Sequence, residues 1–209
     1  TQLTAILKII MDEYTKKHWS KDVDFTVNDD DIAAYEKRLV ECCDVLKQAY
    51  KDHVSGNHDG WEKNMEEMQQ DGTIITLYQK PTDAGLSYTK ITSVVNCSAD
   101  EALHWSTNID NCSKYDEYFD QSEFFIDLSG KVHPNGKHDR LCGYALARSQ
   151  IKGHSFVLKA REFVHLLGKE KLDGEYGNIV IAPMTSIECN YIPERSSHVR
   201  VFIDNQGSV

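Results

Sequence analysis

The sequence has no uninterrupted apolar stretch approaching the roughly 20 residues that a bilayer-spanning helix requires. Its first residues also lack the charged start and apolar centre of a secretory signal. The chain opens on Thr1 instead of Met, which reads as a fragment or a processed start. There is no Gly-x-x-x-x-Gly-Lys loop, no Gly-x-Gly-x-x-Gly turn, no His-Glu-x-x-His and no Gly-x-Ser-x-Gly. The common signatures of nucleotide, zinc-protease and serine-hydrolase chemistry are therefore missing. Clustered positive charge is missing too, because 23 Lys and Arg are interleaved with 33 Asp and Glu for a net charge of -10. Phosphate backbones and anionic membrane surfaces are held by grouped cations, so the charge balance argues against a nucleic-acid partner and a polybasic membrane patch. The six cysteines form no Cys-x-x-Cys pair and read as reduced thiols of a cytoplasmic protein. The Asn-Cys-Ser stretches at Asn96 and Asn111 are short enough to arise by chance.

With 209 residues, 40% of them hydrophobic, the chain fits a single domain spanning 1–209 that can bury a core and enclose a cavity. Leu3, Ile6, Leu7, Ile10, Met11 and Tyr14 recur at helical spacing behind Thr4. Ile32, Tyr35, Leu39, Cys42, Leu46 and Tyr50 repeat that spacing behind Asp29, Asp30 and Asp31, acids that suit and cap a helix N-terminus. After Trp61 the pattern shifts to strands. TIITLYQ from Thr73 and LSYTKITSVVNC from Leu86 flank the turn-like KPTDAG, which predicts a hairpin. SADEALHWSTNID then reads as a short helix, with Ser98 and Glu101 in the Ser-x-x-Glu spacing of a capping box. SEFFIDL, RLCGYALAR, REFVHLL and GNIVIAPMTSIE follow as strands, with SHVRVFID as a fifth. The first two are joined by the turn-rich SGKVHPNGKHD, whose His133, His138 and Asp139 read as turn residues and not as a metal site. Strands segregated from a few helices predict an α+β domain built on antiparallel sheet.

One stretch, KAREFVHLLGKEK from Lys159, opens a strand with two charges, Arg161 and Glu162. By itself such a pair reads as solvated gatekeepers at a strand start. Alternation would put Phe163, His165 and Leu167 on one face. Tyr115, Asp116 and Tyr118, with Glu117 nearby, carry acid and base groups, but spacing alone assigns them structural roles. No catalytic residue, cofactor or metal ligand is assigned.

The order of elements and several local stretches resemble the START family, the steroidogenic acute regulatory protein-related lipid-transfer domains. The residues that carry the resemblance are Lys90 in LSYTKITSVV, Tyr115 and Asp116 after the capping-box helix, REFV at Arg161 to Val164, and HVRV near the end. In that family the helix is commonly followed by Trp-Asp, and a later strand opens Arg-Asp-Phe-Val or Arg-Asp-Tyr-Val. Here Tyr115 replaces the Trp and Glu162 replaces the Asp. The resemblance implies a START/Bet v 1-like helix-grip fold, a curved antiparallel sheet around a long C-terminal helix that encloses a hydrophobic tunnel for one lipid. Family members continue past HVRV with more strands and that helix, so a chain stopping at Val209 is expected to be truncated. Arg161 and Glu162 would then be a structural motif where a loop over the tunnel ends, with the Phe163 and His165 face turned inward.

The implied activity is intracellular binding and transfer of a single lipid without catalysis, with transient membrane contact. Enclosure removes about 0.8 kcal/mol per methylene from water, and a membrane returns the same energy, so exchange can be nearly balanced. The candidate lipid-binding residues are Tyr88, Lys90, Tyr115, Asp116, Tyr144, Phe163 and His165. Phosphatidylcholine carriers of the family place an arginine shortly before the Trp-Asp pair, where this chain has Cys112, and Leu167 replaces an arginine that sterol and phospholipid carriers share. Phospholipid and sterol both stay open as ligands, and Arg148 near Tyr144 is a substitute polar group. Two other readings are a helix-grip enzyme using His165 or Asp116 as base and a lipid-sensing module of a larger protein.

Overall fold

The computed structural model describes residues 27–209 apart from 84, 129–140, 154–158 and 173–178, and within this span the side chains of 106, 107, 109, 126, 127, 141–145 and 208 are also outside the description. The helix expected over Leu3 to Tyr14 and the turn holding His133, His138 and Asp139 therefore lie outside the described residues. Helix α1 spans Asp29–Val54 and buries Ile32, Tyr35, Leu39, Cys42 and Cys43 at the expected spacing. Its cap differs from expectation. The side chain of Asn28 accepts from the Asp31 amide at 2.8 Å, and the three acids fill the first turn, where they favour the positive end of the helix dipole. No described helix is long and apolar enough to cross a membrane.

The chain divides into two compact units. Gln48–Ala102 holds a three-stranded antiparallel meander of β1 (Glu62–Met68), β2 (Ile74–Pro81) and β3 (Ser87–Ser93). The β2–β3 hairpin matches the one read around KPTDAG, with Tyr78 opposite Lys90 and Lys80 opposite Tyr88. Strand β1 escapes a sequence reading because every residue of EKNMEEM is exposed, so no face of it carries an apolar alternation. At the following helix, the Glu101 amide donates to Ser98 Oγ at 3.2 Å, the expected cap. The helix is broken in two, α2 (Ala99–Thr107) and α3 (Ile109–Tyr115), because Asn108 takes an extended backbone and caps the second piece through the Asp110 amide at 2.9 Å.

The second unit joins the described part of residues 1–47 to Leu103–Val209. Its sheet is an antiparallel meander of β4 (Phe119–Asp127), β5 (Leu141–Ile151), β6 (Ala160–Leu172) and β7 (Ile179–Ser186), continued by β9 (Gln206–Ser208) beside β7. The short β8 (His198–Arg200) departs from the antiparallel rule and runs parallel to the start of β6. Even-numbered side chains of β6 face α1: a Cβ built on Gly168 would come within 2.6 Å of Leu39, and Lys47 Nζ lies 2.9 Å from Glu170. Leu39, Leu146, Leu166 and Ile181 are fully buried in this layer. Each such side chain contributes about 1.5–3 kcal/mol by leaving water.

Candidate functional site

The solvated reading of the Arg-Glu pair is overturned for Glu162, which is fully buried. One of its oxygens accepts Nε and Nη2 of Arg200 at 3.0 and 2.8 Å, together with the Arg195 amide at 3.2 Å. Its other oxygen lies 4.0 Å from Nη1 of Arg148. Arg148 is buried rather than solvated; it donates Nε to Glu123 at 2.6 Å, makes a second contact there through Nη2, and stacks its guanidinium 5.2 Å from the Phe125 ring. Arg195 closes the chain of charges, with Nη2 3.2 Å from Glu123. Ions out of water are tolerated when each has a partner, and here two carboxylates serve three guanidiniums. The network ties β4, β5 and β6 to the 192–200 segment on the side of the sheet that faces α1. Arg161 follows on the opposite face and is half-buried.

That opposite face is built differently. Phe163 and Leu167 are half-buried and His165 is 1% exposed. Across the sheet, Phe163 pairs with Ser149, His165 with Ala147 and Ser186, and Leu167 with Met184. Phe124 and Ala147 are buried here, and Phe119 and Leu167 pack against them. The result is an apolar, partly aromatic wall with one imidazole in its centre. Burial pushes the His165 pKa down to about 4, against a smaller opposite pull from the Phe163 backbone, so the ring is uncharged at neutral pH. Its Nδ1 is buried and meets no hydrogen-bond partner among the described residues.

The other candidate residues do not gather around this wall in one set. Tyr144 pairs with Gly168 on the strand beside it, and its side chain is outside the description. Tyr115 is 59% exposed, and its hydroxyl sits 3.1 Å from Cys112 Sγ. Asp116 ends α3: its amide donates to the Cys112 carbonyl at 2.8 Å, and its carboxylate accepts the Tyr118 amide at 2.9 Å. This is a helix stop and a turn, made with the groups an Asp commonly uses for both. Tyr88 and Lys90 belong to the meander of the first unit. Tyr88 is 43% exposed, while the Lys90 ammonium lies 4.6 Å from the Trp61 ring centroid and 4.9 Å from that of Tyr78. His58 stacks on the same Tyr78 at 5.1 Å, and His53 sits 5.9 Å from His58. Two aromatic faces thus hold a cation whose pKa burial lowers and Asp52 raises.

Sequence reasoning missed Trp61, Tyr78, His53 and His58 around Lys90, as well as Glu123 and Arg195 in the ion network. Of that network, the sequence had singled out Glu162, Arg148 and, through HVRV, Arg200. Among the described residues no group of His, Cys, Asp and Glu could hold a metal ion. The described cysteines, Cys42, Cys43, Cys97, Cys112 and Cys189, are free thiols.

No protein-family model matches the chain, and no curated protein does. Among solved structures, human STARD10, a START domain, superposes with a TM-score of 0.53 at 12% identity, covering 90% of this chain. The chain spans 62% of the length of that solved one. The likeness is one of fold: a helix followed by a curved antiparallel sheet, the START-like helix-grip α+β arrangement.

Proposed function

We propose that this chain binds one lipid molecule in the manner of a START domain and carries it between membranes without catalysis, touching each membrane transiently. The observation that carries the reading is the wall of Phe119, Phe124, Phe163 and Leu167 around an uncharged His165. An apolar wall with a sparse polar group suits a hydrocarbon ligand, because transfer from water is driven by buried apolar area and orientation by few polar contacts. Phe163 and His165 are the contacts supported best; Tyr144, a further candidate from the sequence, pairs with Gly168 in the register that faces α1 and is not assigned to the wall. Lys90 and Asp116, candidates from the sequence, have structural partners of their own, and we assign them to the cation–aromatic cluster and the α3 stop. Tyr88 and Tyr115, both exposed, are assigned to surface contact during exchange.

The test is native mass spectrometry of the protein purified from cells, followed by extraction and identification of what is released. One phospholipid or sterol per chain supports the carrier reading. A folded protein that is empty and takes up no added lipid removes its main support, and turnover of small molecules becomes the question.

A further inference from the structure

The two described sheets end on β1, β3, β4 and β9, and three of these four edges are protected against pairing with another chain. β1 carries four charges in its seven residues, and its register with β2 slips between Lys63 and Met65. β4 holds Asp120, Glu123 and Asp127 and departs from regular register with β5 at two places. β9 is three residues long. Charge, irregular register and shortness are the devices by which sheet edges avoid unwanted partners. β3 has none of them. Its register with β2 runs unbroken from Ser87 to Ser93, it contains no proline, and its one charge, Lys90, is turned over the Trp61 and Tyr78 rings. Ser87, Tyr88, Thr89, Ile91 and Ser93 are exposed, and among the described residues no strand pairs with the outer edge of β3. On the face away from those rings, Met65, Leu77 and Ile91 stand opposite one another across β1, β2 and β3, with Met65 41% and Ile91 65% exposed. This apolar row stops at the open edge.

We propose that a second copy of this chain pairs with the β3 edge, antiparallel about a two-fold axis centred on Ile91. The contact is independent of lipid binding. Antiparallel self-pairing about a two-fold axis places one residue opposite its own copy, and the identity of that residue sets every other pair. Centred on Lys90, the pairing would set like charges directly opposite, which is destabilising. Centred on Ile91, it sets Ile91 against Ile91, Lys90 against Thr92 and Thr89 against Ser93. It also joins the Met65, Leu77 and Ile91 rows of the two copies into one, and hydrophobic pattern is what fixes strand register. The net charge of -10 opposes self-association, so two copies meet most readily where acids are absent. β3 has no Asp or Glu, whereas β1 and β4 each hold three.

The experiment is sedimentation equilibrium of the full chain across the micromolar range, with circular dichroism as the fold control. A monomer–dimer equilibrium is expected for the unmodified chain. Ile91→Lys places a cation opposite its own copy at the axis and should raise the dimer dissociation constant about tenfold. The register is read by two double variants. Thr89→Glu/Ser93→Lys sets opposite charges across the two copies at both ends of the pairing and should keep or tighten the dimer, whereas Thr89→Lys/Ser93→Lys sets like charges there and should weaken it about tenfold. A chain that stays monomeric throughout, or a dimer that treats the two charge patterns alike, overturns the proposal. Thr89 and Ser93 are both exposed, so the double variants decide the matter even if Ile91→Lys fails to fold.

Discussion

Glu162 and Arg200 are 38 residues apart in sequence, yet one carboxylate oxygen of Glu162 accepts two nitrogens of Arg200 at 3.0 and 2.8 Å, with both side chains at most 8% exposed. The pair holds the parallel strand β8 against the start of β6, where Glu162 stands opposite Arg200 in register. Glu162→Gln keeps the shape and removes the charge, which leaves the Arg200 guanidinium buried with the Ile192 carbonyl as its other acceptor. The expected loss is about 3–5 kcal/mol. Arg200→Met alone should also be costly, and the double variant Glu162→Gln/Arg200→Met should be less destabilised than the sum. Urea denaturation of the four chains measures this; strictly additive losses would mean that the two groups do not act as a pair.

The buried imidazole makes a pH prediction whose sign follows from its depressed pKa. His165 in the folded chain has a pKa lowered from 6.5 to about 4, so as pH falls the unfolded chain takes up its proton first. Stability from this group is therefore complete above about pH 7 and is lost as pH drops through the window between the two values, by roughly 3 kcal/mol in all. In His165→Leu the same descent should be shallower. Unfolding midpoints followed from about pH 7.5 to about pH 4.5 for both chains test it. Because the His53 pKa is also lowered by burial, the difference between the chains, and not the slope of either one, is the quantity to read. Parallel curves would show that His165 does not stay neutral on folding.

How much of this was legible beforehand depends on how local each cause is. Helix α1 could be read because its apolar residues recur on one face, and the β2–β3 hairpin because two β-rich runs flank a turn. The break at Asn108 was hidden, since a side chain that caps a second helix looks like any polar residue in a continuing one. β1 was hidden for the opposite reason: it is held by backbone pairing to β2 and carries no buried face. Glu162 was misjudged because its partners come from 14, 33 and 38 residues away, and periodicity says nothing about which distant charges will meet. Alternation on β6 was read correctly as two faces, yet one is buried and the other half-buried, so the pattern could not tell the α1 side from the wall.

The aromatic setting of Lys90 yields a titration experiment. His53 has its pKa lowered by burial first, then by the positive charge of Lys90 and by His58. Lys90→Met removes the second cause and leaves the aromatic faces of Trp61 and Tyr78 packed on a side chain of similar length. The His53 pKa is expected to rise toward its ordinary value without reaching it, since burial persists. Proton NMR of the imidazole resonances reads the shift directly, and an unchanged His53 titration would remove the ammonium from this cluster in solution. Stability should change little, because the variant loses a cation–aromatic contact worth about 0.5–2 kcal/mol and also sheds the cost of a desolvated ammonium.

Gly168 sets how closely α1 approaches the sheet. A Cβ at this position would lie 2.6 Å from Leu39 Cδ2, 3.1 Å from Leu39 Cγ and 3.1 Å from Pro183 Cγ, all closer than packed carbons sit. Strand backbone suits alanine, so the cost of Gly168→Ala is steric: either Leu39 leaves its rotamer or the helix moves outward. Overpacking of this kind costs about 1–3 kcal/mol. Leu39→Val removes a methylene from the colliding side chain and should lower the penalty of Gly168→Ala, even though it is itself destabilising by lost burial. Thermal unfolding of the four chains distinguishes the two origins. A penalty that shrinks in the Leu39→Val background places the clash on the helix, whereas an unchanged one places it on Pro183 and the neighbouring strand, and would mean that Leu39 already has room to yield.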